Sequence, residues 1–429
     1  MVSRLGGFVT RFGSRFRSKT RSGEQQALKY VKGLIQSRRA NMERMAELLP
    51  ETDEQALHHF ISNATWDARG VIDQVAVDAD AILGGHEDSM LILDDSGFPK
   101  KGKHSVGVSR QYCGQSGKVD NCQVGVFGAL CHGNTATLVD ARLFLPESWI
   151  KDGQRCTNAG VPAEEQVRRT KHDLAKASIA HLRELGVRFR YVGFDAGYGE
   201  SGVLLRKLDE DGVVFFADVH KSQQIFIEKP REGAEHSSVL VEEWVAAQPP
   251  QAWKQVTLRD GTKGPITVEI LHRRIWLRWA TDPRAYRWHL IVRREIAAPD
   301  DIKYTLSNAP ADLPRQRLAY LQGQRYWVER CFEDAKQQVG MGDYQVRGWN
   351  GWHHHMAMVL MAMLFLLETK VALGQEVPVT SADIEWLLRK MLPTRGNSDE
   401  ELLHLLERRI RKRTASSPPP PPPNLTKQN

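Results

Sequence analysis

Met90-Leu91-Ile92-Leu93-Asp94-Asp95-Ser96-Gly97 is a short apolar run followed at once by two acids, a serine and a glycine. Such a run reads as a buried strand, and the polar residues after it read as the turn that ends it. Downstream, Cys122 to Cys131 is β-rich, His132-Gly133-Asn134 is a turn and Ala136 to Leu145 is a second strand, which together predict a hairpin. A helix is expected across about Ala163 to Leu185. Leu174, Ala177, Ile179, Leu182 and Leu185 form its apolar face and Gly186 closes it. Phe189 to Phe194 is the next strand, and it too runs into an acid and glycines, Asp195-Ala196-Gly197-Tyr198-Gly199.

The order is therefore strand with acid, hairpin, crossover helix, strand with acid. A right-handed crossover lets the last strand lie parallel to the first. This is an α/β arrangement of the RNase H-like (retroviral-integrase-like) kind, and it sets Asp94 and Asp195 side by side at one edge of the sheet. Glycines after each acid are expected to turn the chain away and leave the carboxylate exposed.

Working outward, about Glu24 to Leu83 carries apolar residues at three and four spacing and reads as helical, with Thr65 or Asn63 as a cap before Asp67. Beyond the second acid, Leu204 to Leu208 is a helix fragment and Val213 to Val219 a strand, while Val256 to Arg293 alternates strongly, as a β insertion would. Helical patterning returns across Leu321 to Gly340. On that helix Gln322, Arg325, Glu329 and Lys336 fall within about 60° of one another. If this face covers the edge that holds Asp94 and Asp195, three carboxylates converge beside two cations.

Phosphodiester chemistry needs such a set, because two hard divalent ions roughly 3.5–4 Å apart require oxygen ligands that bridge and flank them. Without cations, three gathered carboxylates raise one another's pKa, which makes a purely structural cluster costly. Asp95 competes with Asp94 for the inward position, and strand alternation sends one in and one out. Glu333 competes with Glu329, but only Glu329 fits the spacing to Lys336, and an ordinary exposed salt-bridged helix is the alternative for that face.

The string Leu93 to Gly102 resembles the first-aspartate motif of bacterial insertion-sequence DDE transposases, and Val192 to Gly199 resembles their second. Arg325-Tyr326-Trp327-Val328-Glu329, followed by Lys336, is similar to the Y-R-E-K signature of the subgroup with a β insertion before the glutamate. The resemblance spans about residues 25 to 370 and implies a DNA transposase with Asp94, Asp195 and Glu329 as catalytic metal ligands. It implies two Mg²⁺ ions, with Mn²⁺ as a substitute, and Arg325 and Lys336 on phosphates near the cleaved end. The signature's tyrosine position is Gln322 here, so that DNA contact is either missing or supplied by Tyr326. The implied partners are terminal inverted repeats and target DNA, engaged by a homodimer on paired ends. An RNase H-like nuclease without strand transfer and an inactive DNA-binding derivative are the alternatives.

These expectations divide the chain into a basic flexible arm (1–23), a helical DNA-binding region (24–88) and the first part of the catalytic domain (89–200). A β-rich insertion (201–315), a completing segment with the glutamate helix (316–372), a C-terminal helical region (373–415) and a disordered proline-rich tail (416–429) follow. The arm holds Arg4, Arg11, Arg15, Arg17, Lys19 and Arg21 with no acid before Glu24. A net charge of +7 favours an anionic partner. Five cysteines without a C-x-x-C pair argue against a disulfide framework or a zinc site and for reduced cytosolic thiols, and the resemblance implies a bacterial cytoplasmic, nucleoid-associated protein. The apolar run Met356 to Leu367 is short for a membrane span and reads as a buried helix. Adjacent His353, His354 and His355 point different ways on a helix and make no common metal site. Trp276, Trp279 and Trp288 are expected mainly to pack the insertion, with stacking on an unpaired base as the alternative.

Overall fold

The computed structural model describes residues 2–18, 21–230, 238–261, 264–280, 282–374 and 379–416. The proline run lies outside them.

The first residues are not a free arm. α1 (Val2–Thr10) and a following turn bury Leu5, Phe8, Val9, Phe12 and Phe16. Those positions recur at helical spacing beneath the arginines, so the charge that suggested an arm belongs to the outer face of an amphipathic segment. Next come α2 (Glu24–Gln36), α3 (Met42–Leu48), α4 (Glu54–Ser62) and α5 (Ala68–Leu83). Asn41, Asp53 and Asp67 cap the last three, each accepting a backbone N–H. The cap of α5 is Asp67, not the expected Thr65 or Asn63.

β1 (Met90–Pro99) runs through the predicted turn without bending, paired with β3 along its whole length. Gly97 is needed for a different reason from the one read in the sequence. A Cβ there would stand 2.7 Å from the Cys113 sulfur on β2 (Ser109–Cys113), so the glycine permits close packing within the sheet. β3 (Lys118–His132) and β4 (Thr135–Leu143) make the expected hairpin, with Gly133 at φ +57° in its turn. Two short helices follow, α6 (Glu147–Ile150) and α7 (Gly153–Asn158). The crossover helix α8 (Lys171–Glu184) starts later than predicted, at a capping box of Thr170 and Asp173.

β5 (Tyr191–Phe194) lies parallel to β1, as expected. α9 (Ala196–Gly199) and α10 (Gly202–Glu210) lead to β6 (Phe215–Val219), which is parallel to β5. β6 therefore belongs to the parallel core, although the sequence placed it in the insertion. The rest of the insertion comprises a ribbon of β7 (Gln224–Ile225) and β8 (Val239–Leu240), α11 (Val241–Ala246), β9 (Lys254–Gly261), β10 (Gly264–Trp279), β11 (Asp282–Glu295) and β12 (Ile302–Ser307). β12 pairs antiparallel with β6, so the insertion continues the main sheet in the order β2-β3-β1-β5-β6-β12-β11-β10-β9, with β4 on β3. Trp279, Tyr286 and Trp288 pack together inside it.

α12 (Arg315–Gly323) and α13 (Tyr326–Gln338) replace the single helix predicted here; the chain breaks between them. α14 (Trp349–Gly374) is the central helix, followed by α15 (Ser381–Met391) and α16 (Asp399–Ser416). By length and composition α14 could cross a membrane, but 72% of its most apolar stretch is buried within the protein. Phe8 of α1 meets Phe365 of α14 with ring centroids 5.1 Å apart, so the N-terminal helices and α14 share one core. Its histidines diverge as predicted. His353 faces the Trp349 carbonyl, His354 the carbonyls of Ile61 and Trp66, and His355 the Tyr30 hydroxyl.

Candidate active site

Strand register builds the site. Leu93 of β1 pairs with Phe194 of β5, and Phe194 pairs with Ala217 of β6. The next residue on each strand is an aspartate: Asp94, Asp195 and Asp218. Residues level with one another on neighbouring strands share a face, so three parallel strands deliver three carboxylates in one row. Two of these were read from the sequence. Asp218 was missed, although the acid before Val219 near the end of a predicted strand was the signal that could have found it.

Alternation separates Asp95 from this row, and its carboxylate pairs with Lys171 of α8 at 2.6 Å. Asp195 caps α9, accepting from the Tyr198 N–H at 3.2 Å. That short helix is pressed onto β6 so closely that a Cβ on Gly199 would meet the Asp218 carbonyl oxygen at 1.8 Å. Gly199 thus serves a close backbone approach and not the exposure of a carboxylate.

The fourth carboxylate comes from α13. Glu329 is half-exposed and sits one turn after Arg325, whose guanidinium reaches into the row. Arg325 Nε forms an ion pair with Asp218 at 3.0 Å, Nη2 donates to Glu329 at 2.5 Å, and Nη1 stands 3.7 Å from Asp94. One cation therefore balances carboxylates from β1, β6 and α13. Burial pushes the Asp94 carboxyl upward, the Asp195 charge pushes the same way, and Arg325 opposes both. Burial likewise raises Asp195 and Asp218 against the pull of Arg325. Lys336, half-buried on the same helix, is lowered by burial while the charge of Asp94 acts in the opposite direction.

The remaining predicted residues part company. Tyr326 is 44% exposed beside Arg259, whose guanidinium carbon lies 4.2 Å from its ring centre. Gln322 is only 5% exposed, so it does not face outward as a DNA contact would. Gln322 lies on α12 and Arg325 in the short turn that precedes α13. Instead the Gln322 amide donates to the Thr305 hydroxyl at 2.7 Å, and that hydroxyl donates to Asp218 at 2.5 Å. A pocket of about 210 Å³ opens beside Arg325, between the insertion strands and α12–α13, lined by Arg259, Arg293, Lys303, Tyr326 and Glu329 among others.

Among the described residues, no three acidic, histidine or cysteine side chains stand close enough to hold one metal ion as they are placed. All five cysteines are buried and none forms a disulfide. Chemically, the cluster offers hard oxygen donors, a half-exposed acid and cations suited to phosphate.

The sequence profile of a family described as DDE superfamily endonuclease matches residues 11–265. The match takes in Asp94, Asp195 and Asp218 and ends before Glu329. Over 327 residues the chain is 27% identical to a protein described as the probable transposase for insertion sequence element IS701 of Microchaete diplosiphon, covering 75% of this chain and 77% of that protein.

Proposed function

Because the chain belongs to the DDE superfamily endonucleases, we propose that it is the transposase of a bacterial insertion sequence, cutting the element's ends and joining their 3′-OH groups to target DNA. The observation that carries this reading is the meeting of Asp94 and Asp195, level on parallel strands, with the Arg325–Glu329 turn of α13. Endonucleases of this family generally use a divalent metal. The chemistry of the donors suits one, although among the described residues their placement does not yet bring three together: every candidate ligand is a hard oxygen, and burial disfavours the charges of Asp94 and Asp195, which a bound cation would relieve. Asp94, Asp195 and Glu329 would hold two Mg²⁺ ions, or Mn²⁺ in their place, which supply Lewis acidity at the scissile phosphate.

The chain's own groups do the rest. Lys336 and the outward face of Arg325 bind phosphate oxygens, and Tyr326 offers an exposed ring beside the strand being cut. The Asp95–Lys171 pair fixes the strand end from the other face. The helical region 24–88 grips terminal repeats, and two copies act on paired ends, in the cytoplasm at the nucleoid.

The test is cleavage of a labelled duplex carrying the DNA that flanks the gene, with Mg²⁺ or Mn²⁺, by wild type and Glu329→Gln. Metal-dependent cuts at the repeat ends, lost in the variant, support the reading. Equal cutting by both excludes Glu329, and cutting without strand joining leaves a nuclease. No cutting by either, with binding intact, leaves a DNA-binding derivative.

A further inference from the structure

Arg325 stands where the carboxylates converge, and three oxygens from three elements surround it. Its hold on the site is itself supported. Gln322 donates to Thr305, Thr305 donates to one oxygen of Asp218, and the other oxygen forms an ion pair with Arg325 Nε. Gln322 and Thr305 are 5% and 1% exposed, which shields the Gln322–Thr305 hydrogen bond from water, while Asp218 opens on the pocket beside Arg325. The relay also links the insertion to the catalytic row, since Thr305 lies on β12 and Asp218 on β6, paired directly across the sheet.

A guanidinium placed among carboxylates lowers their mutual repulsion as a divalent ion would, but it offers only N–H donors and no Lewis acid to the phosphate. We propose that Arg325 is an internal counter-cation of the carboxylate cluster, and that Asp218 is the positioning residue that anchors it beside Asp94 and Glu329 and draws it aside when divalent ions enter. The relay Gln322–Thr305–Asp218 fixes where the guanidinium goes, so the insertion sets the competition between Arg325 and metal. This rests on the transposase reading of the same site. It assigns Asp218 a role distinct from a ligand's: Asp218 acts on the metal only through Arg325.

Mn²⁺ binding to the full-length protein, with free ion counted by its electron paramagnetic resonance signal, tests this without any DNA or turnover. Arg325→Gln should tighten Mn²⁺ by about five-fold or more, the lower range of ordinary coupling between two sites. Asp218→Asn alone should loosen it by a similar factor, because Arg325 then turns fully onto Asp94 and Glu329. In the Arg325→Gln background, Asp218→Asn should change nothing, a full loss of additivity. Equal loosening by Asp218→Asn in both backgrounds would make Asp218 a ligand and overturn the proposal. So would unchanged Mn²⁺ affinity in variants whose melting temperature falls, which is the signature of a merely structural contact. Asp94→Asn is the separate control: if it leaves Mn²⁺ binding untouched, the metal site itself is misplaced and the inference falls with it.

Discussion

At the scale of single residues, Asp94 carries the largest electrostatic burden. Burial and Asp195 both disfavour its charge, and Arg325 offsets only part of that. Replacing Asp94, Asp195 or Glu329 by Ala should cut end cleavage by more than about 10⁴-fold, as removal of one member of a catalytic set does. DNA affinity in a filter-binding assay should stay within a few-fold. Loss of binding in all three variants would make the carboxylates structural. The same burden sets a pH dependence. In chelator-treated buffer, burial and the Asp195 charge raise the pKa of the Asp94 carboxyl in the folded state above the 3.8 of the unfolded chain. Between those values the folded state binds more protons, so stability falls as pH rises. Urea midpoints at pH 5, 6.5 and 8 should decline in wild type and decline less in Asp94→Asn. Parallel slopes for the two proteins would remove Asp94 from this account.

Elements impose a second set of constraints, and the tightest is the seat of α9 on β6. The Asp218 carbonyl is backbone and cannot swing away from a new Cβ on Gly199. Gly199→Ala should therefore push α9 off β6, costing about 1–3 kcal/mol as overpacking does, and should shift both Asp195 and Asp218. The measurement is a denaturant midpoint together with cleavage. Native stability with native activity would show that the two elements separate without cost. α14 makes a complementary case. Leu360 is fully buried near its middle, so Leu360→Ala should cost about 2–5 kcal/mol while leaving the residual cleavage metal-dependent. A cost below about 1 kcal/mol would mean that the core around it collapses to fill the space.

For the whole molecule, the N-terminal segment decides how much of the chain is one folding unit. Five apolar side chains of residues 5–16 are buried, and Arg11 also reaches Glu368 and Asp78. Fully burying each such side chain contributes roughly 1.5–3 kcal/mol. Deleting residues 1–18 should then lower the melting temperature by about 5 °C or more or leave the protein insoluble. An unchanged melting curve would return this segment to the status of a loose arm. Long-range charge acts at the same scale. With a net charge of +7, binding to duplex DNA should weaken steeply with salt, log affinity falling about 0.9 per phosphate neutralised. A flat salt response would argue against DNA as the partner.

Periodicity and order indicated the parallel pairing of β1 with β5, the β3–β4 hairpin, the crossover helix, the buried α14 and acids at two strand ends, while the choice of Asp94 over Asp95 came from the family resemblance. These are legible because a strand, a turn and an amphipathic helix each leave a local mark on the chain. The role of Gly97, the docking of α1, the break between α12 and α13 and the inward turn of Gln322 were not legible, since each depends on what lies opposite in space. The same holds for Asp218. A lone acid near the end of a short strand has no meaning along the sequence. Only the pairing of β5 with β6 brings it level with Asp195, and only the packing of α13 sets Arg325 between Asp218 and Asp94. Local sequence specifies which groups a strand can present, but the register of neighbouring strands decides which of them meet.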